Sequence, residues 1–284
     1  MWLPWKTAAK RERERGVEAE IQYLRDDCAR PPRVDAYDPE KNVIALASHR
    51  VRFHDLRDAA EQPSLAREGF TLLRHRSDIA DFDDLRNHAA YARELEQLVR
   101  ELTGASLVFV HPKMVLRSRE HPHYDGAVIA DRVADVVHAD RTPHSVRAEA
   151  LGALRHAGID TLPEGRLASY NLWRALTPPP QDFPLALCDL RTVRTEQLVR
   201  SISMRNPASE GEDVEFYLAL FDPVHRWCYF SDLTRDELLV FQQYDTAAAG
   251  APGCPHTAFR DPAATRAATT RRSIEARAYV FFPA

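Results

Sequence analysis

The chain has 284 residues, 44% of them hydrophobic, with 38 basic and 42 acidic side chains and a formal net charge of −4. That length suits one large domain, and the near balance of charge gives no bulk attraction to nucleic acid or to an anionic membrane. No stretch reaches the roughly 18 apolar residues that a bilayer span needs, and the opening MWLPWK is too short and interrupted for a signal peptide.

Four scattered cysteines (Cys28, Cys188, Cys228, Cys254) form no CxxC pair. This argues against a zinc ribbon or disulfide scaffold and for a reduced, cytoplasmic setting.

Residues 1–104 read as a helix-rich region. The KRERER run alternates charge as a solvated helix face does, and RERERGVEAEIQYLRD carries helical spacing interrupted by Gly16. NVIALASHRVRFHDLR reads as one or two strands. The strongest helix pattern is DFDDLRNHAAYARELEQLVRE, from Asp81 to Glu101. Its candidate N-cap is Asp81, with Asp83 and Asp84 in the first turn where the helix dipole favours them, and Gly104 lies beyond its end.

From residue 105 the pattern changes to short strands between turn signals: SLVFVHPKMVLR, VADVVH, RLASYNLWRAL, PLALCDLRTV, VEFYLALFD, RWCYFSDL, DELLVFQQYD, HTAF and RSIEARAYVFF. Such a series predicts a mainly β fold, a double-sheet jelly roll or barrel, buttressed by the helical N-terminal part. Residues 1–104 would then pack on a catalytic core of residues 105–284 within one structural domain. In the last strand Arg271, Ser273, Glu275 and Arg277 share one face, while Arg272, Ile274, Ala276 and Ala278 share the other.

The chemistry concentrates in RVADVVHADRTPHS, residues 132–145, where an apolar strand ends in His138 and Asp140. Residues i and i+2 of a strand point to the same side, so an imidazole and a carboxylate are presented together. A second triplet, His123-Tyr124-Asp125, sits in a charged, Pro- and Gly-bearing stretch with no strand to hold it, so His138 and Asp140 are preferred. A facial triad for non-haem iron(II) needs one more imidazole and leaves adjacent positions open for cosubstrate and oxygen. His225 lies in a turn, and His144 and His156 follow too closely. His256, opening a short strand, is the candidate.

Fifteen residues beyond His256 stands Arg271, with Ser273 on the same face. The far carboxylate of a dicarboxylate cosubstrate such as 2-oxoglutarate needs a buried, fork-shaped cation and a hydroxyl, which these two can supply. Asn171, Trp173 and Arg174 are candidate substrate contacts, with Arg174 holding an anionic group. Equally, Trp173 can be core and Arg174 a partner of a loop carboxylate. Arg117, Tyr124 and Tyr170 are weaker pocket candidates.

VEAEIQYL, REGFTLLRHRSDIADFDD, VVHADRTPHS, YNLWRALTPPPQDFPLALCD, WCYFSDLTRDELLVFQQYD, PHTAFRDP and RRSIEARA together resemble the hydroxylase/desaturase family of secondary metabolism. That family includes fungal biosynthetic-cluster oxygenases and the smaller partner protein of cephamycin 7α-methoxylation. The resemblance implies a double-stranded β-helix (jelly roll) of the iron(II)/2-oxoglutarate dioxygenase type using O2, with His138, Asp140 and His256 as iron ligands and Arg271 with Ser273 as the 2-oxoglutarate clamp. The chain departs from the family pattern at Ala139, usually Asn, and at Ala175, usually Pro.

The expected activity is hydroxylation or desaturation of a small-molecule secondary-metabolism intermediate, without nucleic acid or membrane. An intact Asp140 disfavours halogenation, which needs the carboxylate's coordination position for chloride. The alternatives are a noncatalytic accessory subunit bound to a partner biosynthetic enzyme and, more distantly, a zinc hydrolase, which would leave Arg271 and Ser273 without a role.

Overall fold

Alternation, rather than helical spacing, governs the first described element of the chain. Val17, Ala19, Ile21 and Tyr23 turn inward along a strand while Glu18 and Glu20 turn out, so the helical expectation for this stretch is not realised. Cross-strand pairs decide it: Glu18 accepts from Arg50 Nε (3.0 Å) and Glu20 from Ser48 Oγ (3.0 Å). Gly16 permits the register, because a Cβ there would stand 2.3 Å from the Phe53 carbonyl oxygen.

The computed structural model describes residues 15–35, 39–118, 134–204, 213–264 and 268–282. In chain order the elements are β1 (Gly16–Leu24), β2 (Arg33–Asp35), β3 (Leu46–Asp55), β4 (Phe70–Arg74), α1 (His88–Thr103), β5 (Leu107–Val110), β6 (Val115–Ser118), β7 (His138–Ala139), α2 (Pro143–His156), β8 (Arg166–Ala175), β9 (Leu185–Cys188), β10 (Leu198–Met204), β11 (Val214–Ala219), β12 (Trp227–Tyr229), β13 (Glu237–Asp245), β14 (His256–Ala258) and β15 (Arg272–Phe282). The strands form a jelly roll of two sheets. One runs β1-β3-β12-β9-β14-β7-β11-β10-β2, and the other runs β4-β13-β8-β15-β5 with β6 also on β15.

Helix α1 buttresses the outside of the smaller sheet. Tyr91, Leu95, Leu98 and Val99 recur at helical spacing and pack on Leu172, Val240, Ile274, Ala276 and Ala278. Leu95 is fully buried, so its truncation to alanine costs about 2–5 kcal/mol. The helix begins later than its sequence suggests. Asp84, not Asp81, accepts the capping bond, from Arg86 N (3.0 Å), and it caps a 3₁₀ turn (Leu85–Asn87) that leads into α1. At the other end Gly104 takes the expected left-handed conformation (φ 69°).

Helix α2 closes one end of the roll, with Val146, Ala150, Ala153 and Leu154 packed on Leu167, Tyr244, Tyr279 and Phe281. Inside, Trp173, Leu239 and Phe241 of one sheet meet Leu185, Leu187 and Cys228 of the other. No helix among the described residues is long and apolar enough to cross a membrane.

Candidate metal centre

Strand β7 is only two residues long because the chain turns at once into a capped helix. Thr142 accepts from Ser145 N (3.2 Å), Ser145 Oγ accepts from Thr142 N (2.9 Å), and Pro143 sits in the first turn. His138 and Asp140 are thereby pinned between a sheet pairing, His138 opposite Leu218, and a helix start. His256 opens β14 directly opposite His138.

The three side chains converge between the sheets, with ligand atoms all within 4.8 Å of one another. His138 Nδ1 donates to the Val136 carbonyl (2.7 Å) and His256 Nδ1 to the Cys254 carbonyl (3.2 Å). Both Nε2 atoms are thus left facing Asp140 Oδ1, at 3.4 and 3.9 Å. Backbone bonds of this kind fix the tautomer and the ring plane that a metal-ligating histidine needs. The edge of Phe241 lies 4.9 Å from the His256 ring, centroid to centroid.

The protonation states of His256 and Asp140 suit metal ligation. Burial, reinforced by His138, pushes the His256 imidazole down to about 3, so it is neutral and able to ligate. Burial also works to raise Asp140, but His138 alongside it, then His256, Arg277 and Arg141, outweigh that and hold it well below the usual carboxylate range. Two imidazoles and one carboxylate suit non-haem iron(II).

Asn171 and Gln243 hold the acid in place. Asn171 Nδ2 donates to Asp140 Oδ2 (2.7 Å), and Asp140 N donates to Gln243 Oε1 (2.9 Å). The strand pairing of β13 with β8 shifts register between Gln242 and Tyr244, a bulge at Gln243.

Along β15 the polar face predicted from alternation is the inner one. Arg271 and Ser273 are buried. The Arg271 guanidinium lies 5.5 Å from the Trp173 ring, and its NH1 donates to the Phe183 carbonyl (3.0 Å). Burial, then nearby Arg117, lower it to about 9, which leaves it charged at neutral pH. Arg271 Nε and Ser273 Oγ are both fully buried and find no hydrogen-bond partner among the described residues. Buried donors of this kind call for an acceptor, and a carboxylate oxygen fits.

Arg174 is elsewhere. It is one residue out of phase with Trp173 and lies on the outer face of the smaller sheet. Its donors go to Tyr91 Oη (2.9 Å), the His75 carbonyl (2.8 Å), His75 Nδ1 (2.7 Å) and the Arg235 carbonyl. The expectation that it holds an anionic substrate is corrected accordingly, and its partners are neutral groups, not a loop carboxylate. Tyr170 packs on the same α1 side. Tyr124, with His123 and Asp125, lies outside the described residues.

A cavity of about 740 Å³ opens beside His138 and Asp140. Arg117 and Arg277 line it, together with Met114, Val136, Phe216 and Leu218. Arg277, Glu275 and Gln243 were not singled out in the sequence as site residues. For the first two, the i, i+2 alternation running on from Arg271 and Ser273 was the available signal.

The domain described as "Oxidoreductase/YMDC permease-like domain" matches residues 21–281. The chain is 32% identical over 247 residues to the hydroxylase/desaturase efuI of Hormonema carpetanum, covering 81% of this chain and 82% of that protein. It is 28% identical over 243 residues to the Fe(II)/2-oxoglutarate-dependent dioxygenase nvfI of Aspergillus novofumigatus, covering 82% and 83%. Among solved structures, the iron and alpha-ketoglutarate-dependent endoperoxidase NvfI superposes with a TM-score of 0.79 at 23% identity, over 96% of this chain and 100% of that one.

Proposed function

The chain belongs to the oxidoreductase/YMDC permease-like domain family and is a homologue of fungal hydroxylase/desaturases; from that premise we propose an iron(II)/2-oxoglutarate-dependent oxygenase that hydroxylates or desaturates a small-molecule intermediate. The observation that carries the assignment is a pairing on facing strands. Three metal-ligand side chains converge within 4.8 Å, and two buried donors, Arg271 Nε and Ser273 Oγ, await an acceptor.

In this reading His138, Asp140 and His256 hold iron(II). Arg271 and Ser273 hold the far carboxylate of 2-oxoglutarate, and Trp173 supports the Arg271 guanidinium through its ring face. When bound, iron with 2-oxoglutarate supplies the activation of O2 that C–H oxidation requires. The protein's residues do the positioning. His256 is kept neutral by burial, Asp140 is kept ionised and oriented by Asn171, and the apolar cavity wall excludes water from the face where substrate lies. Asp140 would take the coordination position that a halide needs, which favours hydroxylation or desaturation over halogenation. A noncatalytic accessory subunit would have no use for the buried, partnerless donors of Arg271 and Ser273.

The test is conversion of 2-oxoglutarate to succinate by purified protein. Succinate should form only with iron(II) and O2 present and should vanish in Asp140→Ala and His256→Ala. Metal-independent turnover, or turnover undiminished in both variants, would overturn the proposal.

A further inference from the structure

Two kinds of wall bound the cavity beside His138 and Asp140. One is apolar, with Val34, Val136, Met204, Phe216 and Leu218 presented to the open space. The other is charged, and most of its charged groups are already engaged. Arg141 pairs with Glu149 (2.8 Å) and donates to the Asp140 carbonyl (2.6 Å), while Tyr279 Oη donates to the same glutamate (2.7 Å).

Arg277 differs. Its nearest carboxylate oxygens, Asp140 Oδ2 and Glu275 Oε1, stand at 3.7 and 3.6 Å, beyond good hydrogen-bonding distance. Its Nε is buried without a hydrogen-bond partner among the described residues. The side chain nonetheless keeps 29% of its surface accessible, and the cavity is what it lines. A guanidinium carries five donors in a rigid fork matched to a carboxylate. A half-buried cation whose nearest carboxylates stand too far for good hydrogen bonds, set beside an apolar wall, is a receptor for an amphiphilic anion.

Building on the oxygenase reading above, we propose that the substrate is a largely apolar molecule carrying a carboxylate, or an equivalent anionic oxygen group, that docks on Arg277 beside the metal-ligating Asp140. The apolar body lies along Phe216 and Leu218. Because Leu218 pairs with His138 across the sheet, the body is brought past the metal ligands.

The probes are octanoate and its neutral counterpart octan-1-ol, titrated calorimetrically and without oxygen into protein loaded with iron(II) and 2-oxoglutarate. The iron–2-oxoglutarate charge-transfer absorption is recorded on the same samples. Octanoate should bind about 10- to 100-fold more tightly than octan-1-ol, the range of a charge-assisted hydrogen-bonded pair. Arg277→Met should erase that preference while leaving octan-1-ol affinity unchanged, and Arg277→Lys should restore part of it. Equal affinities in the wild type, no octanoate binding, or octanoate binding only when 2-oxoglutarate is omitted would overturn the proposal. The last result would assign Arg277 to the cosubstrate instead. If the absorption band is present and the acid shows no preference, only the substrate class fails; if the band is absent, the oxygenase reading fails and takes this one with it.

Discussion

Asn171 Nδ2 reaches across the space between the two sheets to donate to Asp140 Oδ2 at 2.7 Å, and both residues are buried. That bond occupies one carboxylate oxygen and leaves Oδ1 facing the two imidazole Nε2 atoms. A carboxylate held this way offers a metal one oxygen, so the remaining coordination positions stay available.

Asn171→Ala should therefore weaken iron(II) binding about 10- to 100-fold, the usual effect of removing a group that orients a ligand. Chelator competition measures it. Unchanged affinity would mean that Asp140 is positioned without Asn171.

Arg271 and Ser273 should separate by magnitude. Arg271→Ala removes a buried cation and should raise the dissociation constant for 2-oxoglutarate about 100-fold or more. Ser273→Ala removes one hydrogen bond to a charged group and should raise it about 10-fold. Anaerobic titration of iron-loaded protein gives both values. Neither variant should alter iron affinity by a comparable factor.

Arg174 should matter for folding rather than chemistry. Its donors are spent on Tyr91, His75 and the Arg235 carbonyl under α1. Arg174→Ala leaves several buried acceptors empty and should cost about 3 kcal/mol or more in urea unfolding. The folded fraction should keep wild-type affinity for 2-oxoglutarate; a selective loss of that affinity would place Arg174 in the site after all.

Stability should fall on mild acidification. Burial, then the Arg174 charge, lowers His75 from its usual 6.5 to about 4, and burial lowers His225 to about 4. Between those values the unfolded chain binds more protons than the folded one, so stability rises with pH through that window and is lost as pH falls from about 6.5 toward 4. Protonating His75 would also set a second cation against Arg174 NH2, which now donates to His75 Nδ1. Urea midpoints across this range should drop less steeply in His75→Gln than in the wild type.

Much of the candidate site was legible because strand alternation is a strict geometric rule. It put His138 with Asp140 and aligned Arg271 with Ser273 on one side of β15, and the structure has these pairs facing inward. The same rule misled where two faces are both buried. Asn171 and Trp173 point inside and Arg174 points under α1, and no periodicity tells which buried face holds the site. The helical expectation for β1 fails because Val17, Ile21 and Leu24 fit i, i+4, i+7 spacing as readily as Val17, Ala19, Ile21 and Tyr23 fit a strand's inner face. The cross-strand arginine and serine that decide between them lie some thirty residues away, at Arg50 and Ser48. Gln243 stands two residues after the inward-facing Phe241, so alternation places it inside as well, whereas the register shift before Tyr244 is a property of the pairing with β8 and has no local signature.

The most direct measurement is spectroscopic. Iron(II) and then 2-oxoglutarate are added without oxygen to metal-free protein while the weak visible charge-transfer absorption of their complex is followed. The band should require both additions, disappear in His138→Ala, and need far more 2-oxoglutarate in Arg271→Ala. Folded wild-type protein that binds iron(II) yet develops no band at saturating 2-oxoglutarate would contradict the assignment of this triad and clamp.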